Sequence, residues 1–414
     1  MKAAIVVIDG LGVGAMPDAG TLRAVDATAD TLGNVVRCAR LRESSGARVT
    51  LPNLAGLGLA ALRPDLEMTA GQLPAEATAR RSALGYPGAD TFAGHQTLLG
   101  ADMSHGVVAR VSQYIDQLSD LLRSEGHDVT LLDGLPLLVI DGVALLHDNL
   151  EADPGINWNV SARLDEMPFD QLLDVGRLVR SIAPVARVIV VGGHSDRPLP
   201  ASVRPGEDGT VGLDTPRSGF YRNGGLQVVH LGAHVEVARQ LPSVAASAGM
   251  SVTLIGKATD IVETSAASPG TVVRLPGVET TQVLADITEA MHQDGLIVAN
   301  VQQTDLAGHQ QDCARYFDVL TAVDAAIPAW LDCMDVGDLL VVTGDHGNDP
   351  TIGHAFHTRE YVPVLAAHKL QPLAATIPVS VQQDFATLAD IGASVALHLG
   401  LDPTALAVGS AARL

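Results

Sequence analysis

The stretch "VVTGDHGNDPTIGHAFHTREYVPVL" (341–365) places Asp345, His346, His354 and His357 within thirteen residues, directly after an apolar run. An apolar run that ends in Asp-His is how a parallel strand delivers side chains to the carboxyl edge of its sheet. Carboxylate and imidazole together point to a metal site, and such a site needs further ligands from elsewhere in the chain.

Four more segments read as buried strands: "AAIVVIDG" (3–10), "RVIVVGG" (187–193), "SVTLIGK" (251–257) and "GLIVANV" (295–301). Between them lie amphipathic stretches, "YIDQLSDLLRSEG" (114–126), "FDQLLDVGRLVRSI" (169–182) and "TQVLADITEAMHQDG" (281–295), with apolar residues at helical spacing. Strands that alternate with helices of this length predict an α/β protein with a largely parallel sheet. The Pro-, Gly- and charge-rich run 195–219 lacks periodicity and reads as a long loop or domain margin.

A chain of 414 residues exceeds what one core usually supports, so two domains are expected. The apolar fraction of 47% suits a well-buried globular protein. No apolar stretch is long enough to cross a membrane. The N-terminal run ends in Asp9 with no cleavage-type sequence, so it reads as a core strand and the cytoplasm as the compartment. A net charge of −21 disfavours nucleic acid or an anionic membrane as partner. An anionic small substrate would need local positive charge from metal ions, Lys or Arg. Cys38, Cys313 and Cys333 show no C-x-x-C spacing, and buried free thiols are the expected state.

Candidate ligands close four separate segments. Asp9 ends the first strand; Asp90 and Thr91 sit in "GADTFAGHQTLLG"; Asp305 and His309 share a D-x-x-x-H turn; Asp345 and His346 are followed by His357. Mixed carboxylates and imidazoles suit Mn²⁺, Zn²⁺ or Mg²⁺. Two such clusters fit a two-ion arrangement that stabilises both oxygens of an in-line phosphoryl displacement. Each member has a plainer reading, since an Asp after a strand often only caps the next helix. The D-H-G-N-D run with its later His is the least accidental part.

At these residues the chain resembles the phosphopentomutases of the alkaline phosphatase superfamily. The resemblance rests on "GDHGNDPTIGHAFHTREYVPVLA", "VVIDGLGVGAMPDA", "ADTLGN", "LPNLAGLGL", "ADTFAGHQTLLG", "LIGKATDI" and "DLAGHQQD", which fall in family order. It implies an alkaline-phosphatase-like core with a large, mostly parallel sheet, formed by 1–102 and 230–414. A smaller α/β cap would be inserted at 103–229. Carried over by position, it implies one metal ion on Asp9, Asp345 and His346 and a second on Asp305, His309 and His357. Thr91 would be the nucleophile, phosphorylated in the working enzyme. Lys257 would face substrate phosphate, with Arg217, or else Arg197 or Arg222, as the accompanying arginine. The ions would be Mn²⁺, with Zn²⁺ and Mg²⁺ as the other candidates, and a sugar bisphosphate would prime the enzyme. The partner would be a small phosphorylated sugar.

Several positions depart from the family pattern. Ala93, Gln96 and Thr97 follow the nucleophile where a second Thr and Trp-Glu are usual, which leaves Thr91 as the only nucleophile candidate inside the motif. Phe356 replaces an acidic residue before the last His. Arg163 stands where the family has a sugar-contacting Asp, a change that would favour an anion. His95 reads as a capping or packing residue and His354 as a neighbour of the metals or a loop residue. Arg359 and Glu360 read as an ion pair behind the metals, and Trp158 as cap core. The expectation is an enzyme that interconverts pentose 1-phosphate and pentose 5-phosphate. A phosphatase or mutase acting on another phosphorylated metabolite is the first rival, and a non-catalytic metal-binding protein the second.

Overall fold

The structure, a computed structural model, describes residues 1–21, 23–42, 50–150, 154–206, 209–265, 269–369 and 379–414. The chain forms two compact units, Met1–Ser104 with Val235–Leu414, and His105–His234.

The first unit begins with β1 (Lys2–Ile8) and β2 (Ala75–Ser82). The second unit then supplies β3 (Val129–Leu131), β4 (Leu138–Ile140), β5 (Ala144–Asp148), β6 (Asn157–Arg163), β7 (Arg187–Gly193), β8 (Val203–Pro205), β9 (Val211–Leu213) and β10 (Gln227–Gly232). The chain returns to the first unit with β11 (Val252–Gly256), β12 (Val272–Leu275), β13 (Gly295–Val301), β14 (Leu339–Thr343), β15 (Val362–Lys369) and β16 (Ser380–Val381).

The large sheet runs β12-β11-β13-β1-β14-β15-β2-β16. Its first five strands are parallel, with β1 between β13 and β14 in the registers Ile8↔Val301 and Val7↔Thr343. Every residue of β1, β13 and β14 is buried, because helices cover both faces of such a sheet and the strands are apolar throughout. Alternate residues (Ala4, Val6 and Ile8 in β1; Ile297, Ala299 and Val301 in β13) share one core with three helices. These are α1 (Thr31–Arg42), α5 (Thr280–Ala290) and α7 (Cys313–Asp332). On α7 the buried residues Tyr316, Val319, Leu320, Val323, Ile327, Trp330 and Leu331 recur every three to four positions. Each large apolar side chain buried here contributes about 1.5–3 kcal/mol.

The second unit is a six-stranded sheet, β10-β7-β6-β5-β4-β3. The helices α3 (Ile115–Ser124) and α4 (Phe169–Ile182) pack on the face that carries Trp158, Val160 and Ala162. Trp158 is fully buried there, and its Nε1 donates to the Ala109 carbonyl at 2.8 Å.

Two expectations are corrected. Cys38 on α1 and Cys313 at the start of α7 are joined in a disulfide, and only Cys333 is free. The cause is that α1 packs beside α7, a proximity that spacing along the chain does not reveal. The run 195–219 is not one irregular loop: β8 and β9 pair antiparallel within it and a short helix, Thr215–Ser218, follows. Residues 207–208 of that run lie outside the described residues.

Candidate active site

Strand order decides what gathers at the carboxyl edge of the large sheet. Asp9 follows β1, Lys257 follows β11, Asp345 and His346 follow β14, and α6 (Gln303–His309) follows β13 with Asp305 and His309 on successive turns. Thr91 opens the helix α2 (Thr91–Leu98), whose N-cap Asp90 accepts from the Ala93 N–H. The first turn of a helix presents unpaired N–H groups and a positive dipole end, which favours an anionic oxygen there. Gly94 lets α2 lie flush on the β14 edge, since a Cβ at that position would sit 2.7 Å from the Asp345 carbonyl. Tyr86 Oη donates to the same carbonyl at 3.0 Å and holds the approach to the helix.

The predicted ligands converge as two groups. Asp305, His309 and His357 form one, and Asp9, Asp305 and His346 the other, with donor atoms inside each group within 4.8 Å of one another. Asp305 thus belongs to both groups, beyond the role the family resemblance implied for it. Asp345 Oδ2 lies 3.4 Å from His346 Nε2, and its Oδ1 accepts from the Gly10 N–H at 3.1 Å. Thr91 Oγ1 is 2.9 Å from His346 Nε2 and 3.2 Å from Lys257 Nζ. Lys257 Nζ also reaches Asp9 Oδ2 at 3.1 Å and Asp305 Oδ2 at 3.8 Å. Its charge is therefore engaged by the carboxylates of the cluster.

Three features test whether these residues suit divalent cations. First, Asp9 Oδ1 and Asp345 Oδ2 are buried without a hydrogen bond, a costly state for carboxylate oxygens that a cation relieves. Second, each candidate His ligand commits Nδ1 to a backbone carbonyl: His309 to Ala355 at 2.6 Å, His346 to Gly347 at 3.1 Å, His357 to Ala89 at 3.2 Å. A carbonyl only accepts, so Nδ1 carries a hydrogen and Nε2 is the nitrogen turned inward, able to ligate a metal once it gives up any proton of its own. Third, the inward atoms stand at ligand spacing. His357 Nε2 is 3.1 Å from His309 Nε2 and 3.3 Å from Asp305 Oδ1, and His309 Nε2 is 3.4 Å from Asp305 Oδ2. Donors on a tetrahedral ion with bonds of about 2.1 Å stand about 3.4 Å apart. The donor set fits.

Electrostatics agrees. Burial and the neighbouring Asp345 charge push the Asp9 carboxyl up to about 7. Burial acts the same way on Asp305, yet the His357 and His309 imidazoles outweigh it and hold Asp305 well below the usual carboxylate range. Burial opposes charge on His309, but Asp305 lifts that imidazole to about 9. Burial likewise disfavours the Lys257 cation, and Asp9 and Asp305 more than compensate. So many negative groups in so little water require positive charge among them.

The surrounding shell contains residues that pattern reading passed over. Asn348 Nδ2 donates to Asp305 Oδ1 at 2.8 Å, and Gly308 leaves room for that amide. Asn300 Nδ2 donates to Asp9 Oδ2 at 3.1 Å. The signals were present, Asn348 inside D-H-G-N-D and Asn300 at a strand end, but neither residue is a ligand type. Glu360 is not paired with Arg359. It accepts from Thr31 Oγ1, Thr358 Oγ1 and the Gly14 and Thr31 N–H groups, while Arg359 reaches Asp18 and the Tyr86 and Gly88 carbonyls. Neighbouring residues on an extended segment point to opposite sides, which separates them. His354 Nε2 pairs with Asp26 at 2.7 Å. Arg163 and Arg217 both stand in the second unit. The Arg163 guanidinium is held by Asp165 at 2.5 Å and Glu166 at 3.1 Å, and Arg217 is exposed in its short helix.

Comparison with known proteins adds to this geometry. The family model described as "Metalloenzyme superfamily" matches residues 1–403. A phosphopentomutase of Methylobacterium radiotolerans is 33% identical, covering 97% of this chain and 97% of that protein. One from Symbiobacterium thermophilum is 32% identical, covering 97% and 96%. Among solved structures, a phosphoglycerate mutase of Leishmania mexicana is similar over 97% of this chain and 95% of its own, at 16% identity and a TM-score of 0.44. No helix among the described residues is long and apolar enough to cross a membrane. With the family model spanning nearly the whole chain and relatives above 30% identity end to end, the chain belongs to the phosphopentomutase family of the metalloenzyme superfamily and is a metal-dependent phosphomutase.

Proposed function

We propose that the protein interconverts a pentose 1-phosphate and a pentose 5-phosphate through phospho-Thr91 and a pentose bisphosphate. The observation that carries this reading is Thr91 Oγ1 at the N-terminus of α2, 2.9 Å from His346 Nε2 and 3.2 Å from Lys257 Nζ. Asp9, Asp345 and His346 would hold one divalent ion and Asp305, His309 and His357 the other, with Asp305 placed to serve both. When bound, the ions lower the pKa of a hydroxyl and neutralise charge on a transferring phosphoryl group. Mn²⁺ is our assignment, and a sugar bisphosphate is the primer that first phosphorylates Thr91.

In the forward direction the phosphoryl group of Thr91 passes to the 5-hydroxyl of the pentose 1-phosphate. The P–O bond to Thr91 breaks as the bond to the sugar oxygen forms, and the sugar hydroxyl loses its proton. The resulting bisphosphate turns around. Thr91 then takes the 1-phosphoryl group, the freed 1-oxygen gains a proton, and pentose 5-phosphate leaves. Lys257 Nζ offers a fixed positive charge to the phosphoryl oxygens at Thr91, and the α2 N-terminus adds its N–H groups. Arg217 is assigned to the non-reacting phosphate. Arg163 would join it only after releasing Asp165 and Glu166.

Phosphorus-31 NMR of Mn²⁺-loaded protein with ribose 5-phosphate and a catalytic amount of a sugar bisphosphate tests the proposal. A ribose 1-phosphate signal that vanishes in Thr91→Ala is the expected result. Free phosphate in its place would turn the assignment to a phosphatase. The Arg at position 163 favours a second reading, a more acidic phosphorylated substrate, which a substrate panel would reveal.

A further inference from the structure

Two buried residues that no ligand set includes join the nucleophile's helix to two carboxylates of the metal site. His95 lies one turn after Thr91 on α2 and has no solvent exposure. Its Nδ1 is 2.9 Å from the Thr91 carbonyl oxygen and 3.2 Å from Asp345 Oδ2. Its Nε2 is 3.0 Å from Asn300 Nδ2, and the same amide nitrogen is 3.1 Å from Asp9 Oδ2. Asn300 is also fully buried, in β13, where its Cα partners are Val7 of β1 and Gly256 of β11.

With Asp9 ionised, as metal ligation requires, the chemistry of these contacts allows one assignment of hydrogens. An ionised carboxylate only accepts, so the Asn300 amide must turn its NH₂ toward Asp9, and reversal would bring two oxygens together in a dry site. One N–H goes to Asp9 and the other to His95 Nε2, which must therefore be bare. The His95 hydrogen is then on Nδ1, where the Thr91 carbonyl accepts it at 2.9 Å, and the Asp345 carboxylate lies 3.2 Å from the same nitrogen. The chain of contacts Asp9–Asn300–His95–Asp345 links the residues after β1 and β14 and is pinned to the backbone of Thr91.

We propose that His95 and Asn300 are positioning residues that hold the Asp9 and Asp345 carboxylates in ligating orientation and fix both to the nucleophile. The proposal rests on the reading of Asp9 and Asp345 as metal ligands. Neighbouring groups that orient ligands typically change metal affinity about 10- to 100-fold when removed. Without Asn300 the Asp9 carboxylate loses its only amide donor and His95 its only contact at Nε2 among the described residues. The loss should fall on the ion held by Asp9 and His346. The ion at His309 and His357 keeps its own supports, the Ala355 and Ala89 carbonyls.

The test is Mn²⁺ or Zn²⁺ binding to the full chain, measured by competition with a chromophoric chelator, for Asn300→Ala, His95→Ala and His95→Asn. Expected for both alanine variants is a loss of about 10- to 100-fold in affinity for one of two equivalents, the other unchanged. His95→Asn, whose amide can replace the Nδ1–H donor, should recover part of it. In turnover assays kcat should fall while the sugar-phosphate KM holds, and excess metal should restore kcat. Far-UV circular dichroism and melting identify any variant that has misfolded, in which case His95→Asn and Asn300→Ser carry the comparison. Wild-type affinity for both equivalents in the folded alanine variants would overturn the proposal, as would equal weakening of both. Metal binding is read without substrate, so a wild-type protein that binds two ions but fails to isomerise pentose phosphates would refute the proposed function alone.

Discussion

Acid should loosen the second unit through one histidine. His147 in β5 is fully buried, with Nδ1 2.7 Å from the Asp148 carbonyl and Nε2 3.1 Å from Ser161 Oγ. Burial holds its pKa down to about 4 against an ordinary 6.5. The folded state therefore binds fewer protons than the unfolded chain between those two values. The stabilisation is complete above pH 6.5 and is lost as pH falls toward 4. A gap of about 2.5 pH units at 1.36 kcal/mol each makes the loss about 3 kcal/mol, a large share of a domain's stability. The two tryptophans make this measurable, because Trp158 lies in the second unit and Trp330 in the first. In a Trp330→Phe background, Trp158 emission in urea titrations at pH 7.5, 6, 5 and 4.5 follows the second unit. His147→Asn, which keeps a donor for the Asp148 carbonyl and does not titrate, should start less stable yet lose about 3 kcal/mol less on acidification. Burial raises the Asp148 carboxyl and so acts in the opposite sense, but it does so in both proteins. Parallel pH profiles for the two proteins would refute the reasoning.

Other expectations concern the first unit. Thr91→Ala should lower isomerisation by more than about a thousandfold while two metal equivalents remain bound, checked by phosphorus-31 NMR and metal analysis. Chelation should lower the melting temperature read from Trp330 in a Trp158→Phe background. Mn²⁺ at a hundred times its dissociation constant should return about 2.7 kcal/mol, and an unchanged melt would count against the metal assignment. Cys38→Ser removes the bond to Cys313 and should cost the oxidised protein about 2–4 kcal/mol in urea unfolding. Under dithiothreitol the variant and the wild type should coincide.

Much of the first unit is legible in single segments. The apolar runs at 3–10, 251–257, 295–301 and 338–347 become β1, β11, β13 and β14, because a strand buried on both faces must be apolar along its length. Residues that end such strands fall at one sheet edge once the strands are parallel, so Asp9, Lys257 and Asp345 can be grouped from sequence. His309 follows from Asp305 by helical spacing. The D-H-G-N-D run and its later His mark the family.

What remained to the tertiary structure depends on distances between segments far apart in the chain. That Asp305 belongs to both donor groups, that Cys38 meets Cys313 and that Glu360 faces Thr31 rather than Arg359 are facts of packing. Asn300 and Asn348 are not ligand types and His95 reads as a packing residue, so the contacts of their amide and imidazole groups around the carboxylates appear only in the folded chain. The sequence alone determined which chemistry this chain can hold, since residue type and strand pattern are local. The tertiary structure decided how those groups are oriented, because hydrogen bonds across 200 to 300 residues of chain are set by the strand order of the sheet.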